Sequence, residues 1–307
     1  MKRISKTFLV FAILFVSAAL FSACNTYDYA ETDQLIIDAT DLSDYIGQEN
    51  VVFVDMQSDE EYTAGHLEGA VHITLDELMM DVPVENMLTS SEKISELMVA
   101  NGIGDDTLII AYDNNKMDAS RFLWSLMVYG NNNVRVVNGG YAMIQEEGFA
   151  VSSVVPTVTA SSGFTVSQSK DATWYATISE VRDIVNEPSD DAVILGVRSE
   201  EEYLEGGKIP GAVQINYLEN FYPDGTFMNT QTTQINYLEQ NLDPEKQIII
   251  YCRTSVRAAP VFVRLYDAGY RNIRIFDGAW LEWTSNSTNP IEYSDTAAPV
   301  VDDKDAS

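Results

Sequence analysis

Short apolar runs bounded by turn formers recur along the chain, at Val51–Val54, Thr107–Ala111, Val134–Val137, Ala192–Leu195, Gln247–Tyr251 and Ile273–Phe276. They are rich in Val and Ile and nearly continuous, with no polar residue at every second position. That pattern predicts strands buried on both faces, as in a parallel sheet. Between them, apolar residues three or four apart over Ser91–Asn101, Ser120–Tyr129 and Ala258–Ala268 predict helices. Alternation of strand and helix implies an α/β fold with helices flanking a parallel sheet.

The pattern is written twice. Val51–Tyr62 matches Ala192–Tyr203, and Gly65–Val71 matches Gly207–Val213 one residue later. Further along, Ile109–Asp113 matches Ile248–Cys252, and Asn133–Gly139 matches Asn272–Gly278, both at an offset of 139. Four blocks in the same order indicate a duplicated domain. The copies are placed at residues 34–150 and 172–293. A Ser-, Thr- and Val-rich linker containing Pro156 joins them over 151–171, and the acidic tail 294–307 is expected to be disordered.

The 307 residues suit two domains, and 46% apolar residues provide enough material for a core. With 18 Lys+Arg against 47 Asp+Glu and a formal charge of −29, the chain lacks the basic stripe a nucleic acid needs, so no nucleic-acid partner is expected. An acidic surface also repels small anions unless positive charge is focused locally. Two Cys exclude a disulfide scaffold.

Residues 1–23 read as an export signal, with Lys2, Arg3 and Lys6 ahead of an apolar stretch from Phe8 to Phe21. The stretch is too short to span a bilayer comfortably. Its end, Phe21-Ser22-Ala23-Cys24, resembles the lipobox of bacterial lipoproteins, in which the Cys receives the lipid (palmitate among its acyl groups). That resemblance implies a chain anchored through Cys24 at the outer face of the cell membrane, with Cys252 as the remaining free thiol. The alternative is an uncleaved N-terminal anchor.

The chemistry sits where the copies differ. Strand Gln247–Tyr251 runs into Cys252-Arg253-Thr254-Ser255-Val256-Arg257, and a helix starts near Ala258. Such a loop lies at the carboxyl edge of the sheet, and its amides and the helix N-terminus form an anion-binding concavity. A thiol there, beside Arg253 and Arg257, favours the thiolate. The alternative is a packed Cys with two solvated arginines, but basic residues are scarce and two fall within five positions of the thiol.

These residues resemble the rhodanese family, specifically its tandem-domain sulfurtransferases. The resemblance covers about Leu35 to Tyr293 and rests on the Cys252–Arg257 loop, on Arg198 with Glu202-Tyr203 and Ile209-Pro210-Gly211-Ala212, and on Phe276–Trp283. It implies that Cys252 takes a sulfane sulfur as a persulfide from an anionic donor, such as thiosulfate or 3-mercaptopyruvate. A thiol or cyanide acceptor then removes the sulfur. On this reading Arg253, Thr254, Ser255, Val256, Arg257 and Arg198 bind the donor, and no metal or organic cofactor is needed. Two loop arginines favour thiosulfate over mercaptopyruvate.

In the first copy the Cys position is Asp113, which cannot form a persulfide, so that copy is expected to be an inactive partner walling the cleft. Some expected residues are missing. Gly196 stands where the family usually has Asp, Lys208 replaces a His, Gln57 stands opposite Arg198, and Glu202 occupies a position that is a second donor-binding Arg in some members. Two rival functions remain. A cysteine phosphatase needs Cys-x5-Arg, whereas Arg257 gives Cys-x4-Arg and Ala258 holds the phosphatase position. A non-catalytic surface module could instead carry sulfur, sense redox state or bind a partner. His66 and His72, and Trp280 and Trp283, are expected to serve packing, and no calcium loop is present.

Overall fold

The computed structural model describes residues 27–31 and 34–294. The export segment with Cys24 and the tail beyond Ser294 lie outside the described residues. Among the described residues, no helix is long and apolar enough to cross a membrane.

Each copy is a five-stranded parallel sheet. The first contains β1 (Ile36–Ile37), β2 (Val51–Asp55), β3 (Val71–His72), β4 (Leu108–Tyr112) and β5 (Val134–Val137), in spatial order β1-β5-β4-β2-β3. The second contains β6 (Tyr175–Ala176), β7 (Ala192–Gly196), β8 (Val213–Gln214), β9 (Gln247–Tyr251) and β10 (Ile273–Phe276), in the equivalent order β6-β10-β9-β7-β8. Register is conserved between the copies, with Val52 opposite Ile109 and Val193 opposite Ile248. The central strands β4 and β9 are the most deeply buried, as their unbroken apolar runs predict.

Two helices, Asp118–Val128 and Ala258–Asp267, follow these central strands and pack against each other across the domain boundary. Nearly every residue in both is buried, because each faces its own sheet on one side and the other domain on the other. Phe122, Leu123 and Leu126 thereby share one apolar cluster with Val261, Phe262 and Leu265, so the two domains have a common core. Trp174 seals the seam, stacking edge-on to Phe262 at 5.6 Å and accepting the Trp124 Nε1–H at 3.1 Å.

The segment between the copies is held against the first domain. Val151–Ser152 pairs antiparallel with His66–Leu67, Ser161 N donates to Val99 O at 3.0 Å, Ser167 N donates to Tyr129 O at 2.8 Å, and Phe164 is buried. Its lack of period reflects pairing with irregular edges. Tyr62 lies between His66 and His72, with ring centroids at 3.9 and 4.3 Å, so both histidines do packing work.

The domains also exchange hairpins. In the first, Met79–Met80 pairs with Met87–Leu88; in the second, Phe221 bridges Phe227. Leu88 N donates to Asp277 Oδ2 at 3.0 Å, and Phe227 N donates to Asn138 Oδ1 at 2.7 Å. Asn138 and Asp277 are equivalent positions of the repeat, so each copy grips the other's hairpin with the same side-chain position. Asp277 does more. Its fully buried carboxylate also meets fully buried Arg121 at 2.6 Å and Lys170 of the linker at 3.5 Å. Burial works to raise the Asp277 carboxyl, but Arg121, Lys170 and the Leu88 amide outweigh it and hold the group below its ordinary value.

Removing one partner of a buried pair strands the other. Arg121→Met is therefore expected to lower the unfolding free energy by about 3 kcal/mol, measured by urea denaturation.

Candidate active site

Strand β9 ends at Tyr251 and delivers Cys252 to the carboxyl edge of the second sheet, between β9 and β7, where the chain's crossovers change direction. The loop Cys252–Arg257 turns back on itself through Ala258 N to Ser255 O at 3.1 Å and Ala259 N to Val256 O at 3.2 Å. From the side, Trp280 N donates to Cys252 O at 3.1 Å and Leu281 N to Arg253 O at 3.2 Å. Ser255 takes the left-handed conformation, with φ 66°, and its counterpart Lys116 has φ 67°. A non-glycine residue there carries strain, which is held only because the surroundings dictate it. For Ser255 the restraint is visible. Its hydroxyl is buried and lies 2.5 Å from Thr254 O and 3.2 Å from Asp277 Oδ1, so it faces the domain interface.

The first domain reveals what this loop geometry holds. Asp113, in the Cys252 position, folds its carboxylate back into its own loop, where Lys116 N and Ala119 N each donate at 2.9 Å. The Met117 and Asp118 amides add to the same effect, against the burial that pushes the carboxyl up. The first copy thus carries its own anion, covalently attached. In the second copy the amides of Ser255, Val256 and Arg257 have no acceptor among the described residues. Of the amides that close on a carboxylate in one copy, the counterpart of Ala119 N, Ala258 N, closes on Ser255 O in the other, while those of Ser255, Val256 and Arg257 stand without an acceptor beside the thiol.

Sequence reasoning expected Arg253, Arg257 and Arg198 to bind the donor; the structure pairs Arg253 and Arg257 each with a carboxylate and sets Arg198 against backbone carbonyls and an indole face. Arg257 holds Glu202 in a two-pronged pair, NH1 to Oε2 at 2.6 Å and NH2 to Oε1 at 2.7 Å. That bond to Glu202, with the nearby Cys252 sulfur as a further contributor, raises the guanidinium's affinity for its proton. Arg253 is half exposed at the mouth and reaches Glu85 of the first domain's hairpin at 3.3 Å. Arg198 is buried, donates to the carbonyls of Gly207 and Glu202, and stacks on Trp280 at 4.3 Å. Thr254 is buried and Val256 half-buried. Trp283 is fully buried in the core beside Trp280.

Cys252 itself has 0% solvent exposure and belongs to the apolar cluster shared by both domains. The expected open bowl is therefore closed over the thiol in this arrangement. Sequence reasoning missed Asp277, Glu85 and the engagement of Glu202. For Glu202 a local signal existed: it closes a capping box with Ser199, as Glu61 does with Ser58 in the first copy. Glu61 also reaches the opposite loop, accepting from Asn114 Nδ2 at 3.2 Å. A small cavity of about 80 Å³ lies over the first domain's loop instead, lined by Asp113, Lys116 and the Phe221–Phe227 hairpin. Among the described residues, no group of three or more His, Cys, Asp or Glu side chains is placed to hold a metal.

The Rhodanese-like domain matches twice, at residues 38–147 and 177–286. The chain belongs to the rhodanese-like family. It is 30% identical over 283 residues to a thiosulfate sulfurtransferase of Corynebacterium glutamicum, covering 86% of this chain and 92% of that protein. It is also 30% identical over 248 residues to the sulfur carrier protein TtuD of Thermus thermophilus, covering 75% and 86%. Among solved structures, that of YnjE superposes with a TM-score of 0.76 at 22% identity, over 85% of this chain and 68% of that one, a likeness of fold. The chain is thus a tandem rhodanese and an enzyme of the sulfurtransferase type, working between a sulfur donor and a sulfur acceptor.

The Arg257 bond, first, holds the Glu202 carboxyl down from its ordinary 4.5 to about 2. A depressed carboxyl stabilises the fold above its unfolded value and loses that contribution as pH falls through the folded one. Wild-type stability should therefore contain a component lost between pH 4.5 and about 2. Glu202→Gln should lack that component when acid unfolding is followed by circular dichroism.

Proposed function

We propose that Cys252 carries sulfur as a persulfide, taking it from a small anionic donor, thiosulfate before 3-mercaptopyruvate, and passing it to a thiol or cyanide. The observation that carries this reading is the contrast between the two loops. Asp113 takes the amides of Lys116 and Ala119 with its own carboxylate, while beside Cys252 the amides of Ser255, Val256 and Arg257 are left without an acceptor, for a charge that arrives and departs.

The steps follow from that geometry. The Cys252 thiolate attacks the outer sulfur of thiosulfate, the S–S bond breaks, and sulfite leaves with the bonding electron pair. The new terminal sulfur of the persulfide is anionic and meets the amides of Ser255, Val256 and Arg257, whose fixed dipoles stabilise it without reorganising. A thiolate or cyanide then attacks that terminal sulfur, and Cys252 leaves as thiolate. Ser255 acts as a positioning residue through Asp277, and Arg257 supplies positive charge beside the sulfur. Cys252 is fully buried, so donor entry requires the surroundings to open, and the exposed Arg253–Glu85 pair between the domains is a weak restraint on such opening.

Full burial of Cys252 supports a second reading, a module that accepts sulfur once and carries it without turnover. The lipobox-like Phe21-Ser22-Ala23-Cys24 supports placing either activity at the outer face of the cell membrane, tethered through Cys24.

Mass spectrometry after thiosulfate is expected to show one added sulfur atom on Cys252, removed by cyanide. Cys252→Ser should show neither the adduct nor turnover, and Arg257→Ala should lose about a hundredfold in kcat/KM. Turnover by Cys252→Ser rejects the mechanism. An adduct without turnover selects the carrier.

A further inference from the structure

We propose that Glu202 tempers the donor preference of this site, competing as a built-in carboxylate with the negative charge of the donor for Arg257. The inference deepens the sulfurtransferase reading above and rests on it.

Arg257 is close enough to Cys252 to interact with its sulfur, and Glu202 occupies both prongs of its fork at 2.6 and 2.7 Å. That two-pronged geometry is the one a carboxylate or sulfonate donor would itself use. Glu202 is braced from behind, because Ser199 donates to its Oε2 from its amide at 3.1 Å and from its hydroxyl at 3.2 Å. The carboxylate is therefore held in place for Arg257, at the first turn of helix Glu200–Gly206.

Arg198 keeps its charge against two backbone carbonyls and the Trp280 face, and Arg253 is shared with Glu85. Three arginines against two carboxylates leave this region net positive, and Glu202 cancels the part of that charge held at Arg257. An incoming anion must share or displace the Arg257 contact and approach the Glu202 carboxylate, a cost that rises with the donor's own charge. A dianion such as thiosulfate is penalised more than a monoanion such as 3-mercaptopyruvate, so Glu202 works against the thiosulfate preference proposed above and narrows it. Discrimination of this kind works by repulsion, not by an added attractive contact.

The test reads charge at Cys252 without requiring sulfur transfer. The alkylation rate of Cys252 is measured in the full chain with iodoacetate and with iodoacetamide, and the ratio of the two rates is taken. Any change in thiolate fraction or in access cancels in that ratio. Glu202→Gln, whose amide oxygen can still accept from Ser199, is expected to raise the ratio about fivefold. Glu202→Asp keeps the charge and should leave the ratio near wild type. With thiosulfate as donor, Glu202→Gln should lower KM by a similar factor and leave kcat nearly unchanged.

An unchanged or lowered ratio in Glu202→Gln overturns the proposal, as does a ratio raised equally in Glu202→Asp. If neither reagent reaches Cys252 in any variant, it is also overturned, since a thiol that no donor reaches has no donor preference. A raised ratio without thiosulfate turnover rejects the sulfurtransferase reading but leaves the electrostatic role of Glu202 standing.

Discussion

The arrangement of both domains turns on one buried carboxylate. Asp277 has no exposed surface, and its four partners come from three parts of the chain. Leu88 and Arg121 belong to the first domain, Lys170 to the linker and Ser255 to the loop that bears the thiol. A buried charge is tolerated only when such partners are present together. Separation of the domains would take the Leu88 amide and the Arg121 guanidinium from Asp277, the carboxylate to which the Ser255 hydroxyl is hydrogen-bonded. The first domain carries Asp113 at the position of the thiol, and through Leu88 and Arg121 it supplies two of the partners of the carboxylate that holds Ser255.

The two loops solve the same backbone problem in opposite ways. Both force a non-glycine residue to a φ near 66°, and both receive an amide from the following helix onto the carbonyl that precedes the turn, from Tyr141 N at 2.9 Å and from Trp280 N at 3.1 Å. In the first, Asp113 satisfies the inward amides, which leaves nothing for a ligand. In the second, strain and unmet donors coexist at the one position where a small thiol replaces a carboxylate. Local inconsistency of this sort marks function more often than it marks error.

The duplication and most of the sheet were legible in the sequence, because strands such as Ile248–Tyr251 are unbroken apolar runs. The edge strands Ile36–Ile37, Val71–His72, Tyr175–Ala176 and Val213–Gln214 were not, since two residues carry no period. The pairings of Val151–Ser152 were equally hidden, because they depend on which edge lies nearby after folding. At the site, Cys252 and the contrast with Asp113 were legible from alignment of the copies alone. The condition of the arginines was not. Arg253 and Arg257 stand beside the thiol in sequence, but their partners lie 168 and 55 residues away, and only the tertiary structure joins them.

That last point bears on how an acidic chain handles anions. With carboxylates outnumbering basic residues by 47 to 18, a guanidinium on this fold is seldom far from an acid. Exposed pairs such as Arg253–Glu85 are screened and yield easily to a competing anion. Arg257–Glu202 is more sheltered and braced by Ser199, so it yields less readily. Positive charge near Cys252 therefore comes in two grades, a loose one in the exposed Arg253–Glu85 pair and a tight one in the sheltered Arg257–Glu202 pair. The open amides of Ser255, Val256 and Arg257 carry no such counter-charge. They are the donors in this site whose attraction for a developing negative sulfur is not already spent on a neighbour. Under the proposed persulfide mechanism, these amides are the donors left free to stabilise the persulfide, and Arg257 and Glu202 the side chains that discriminate between donors.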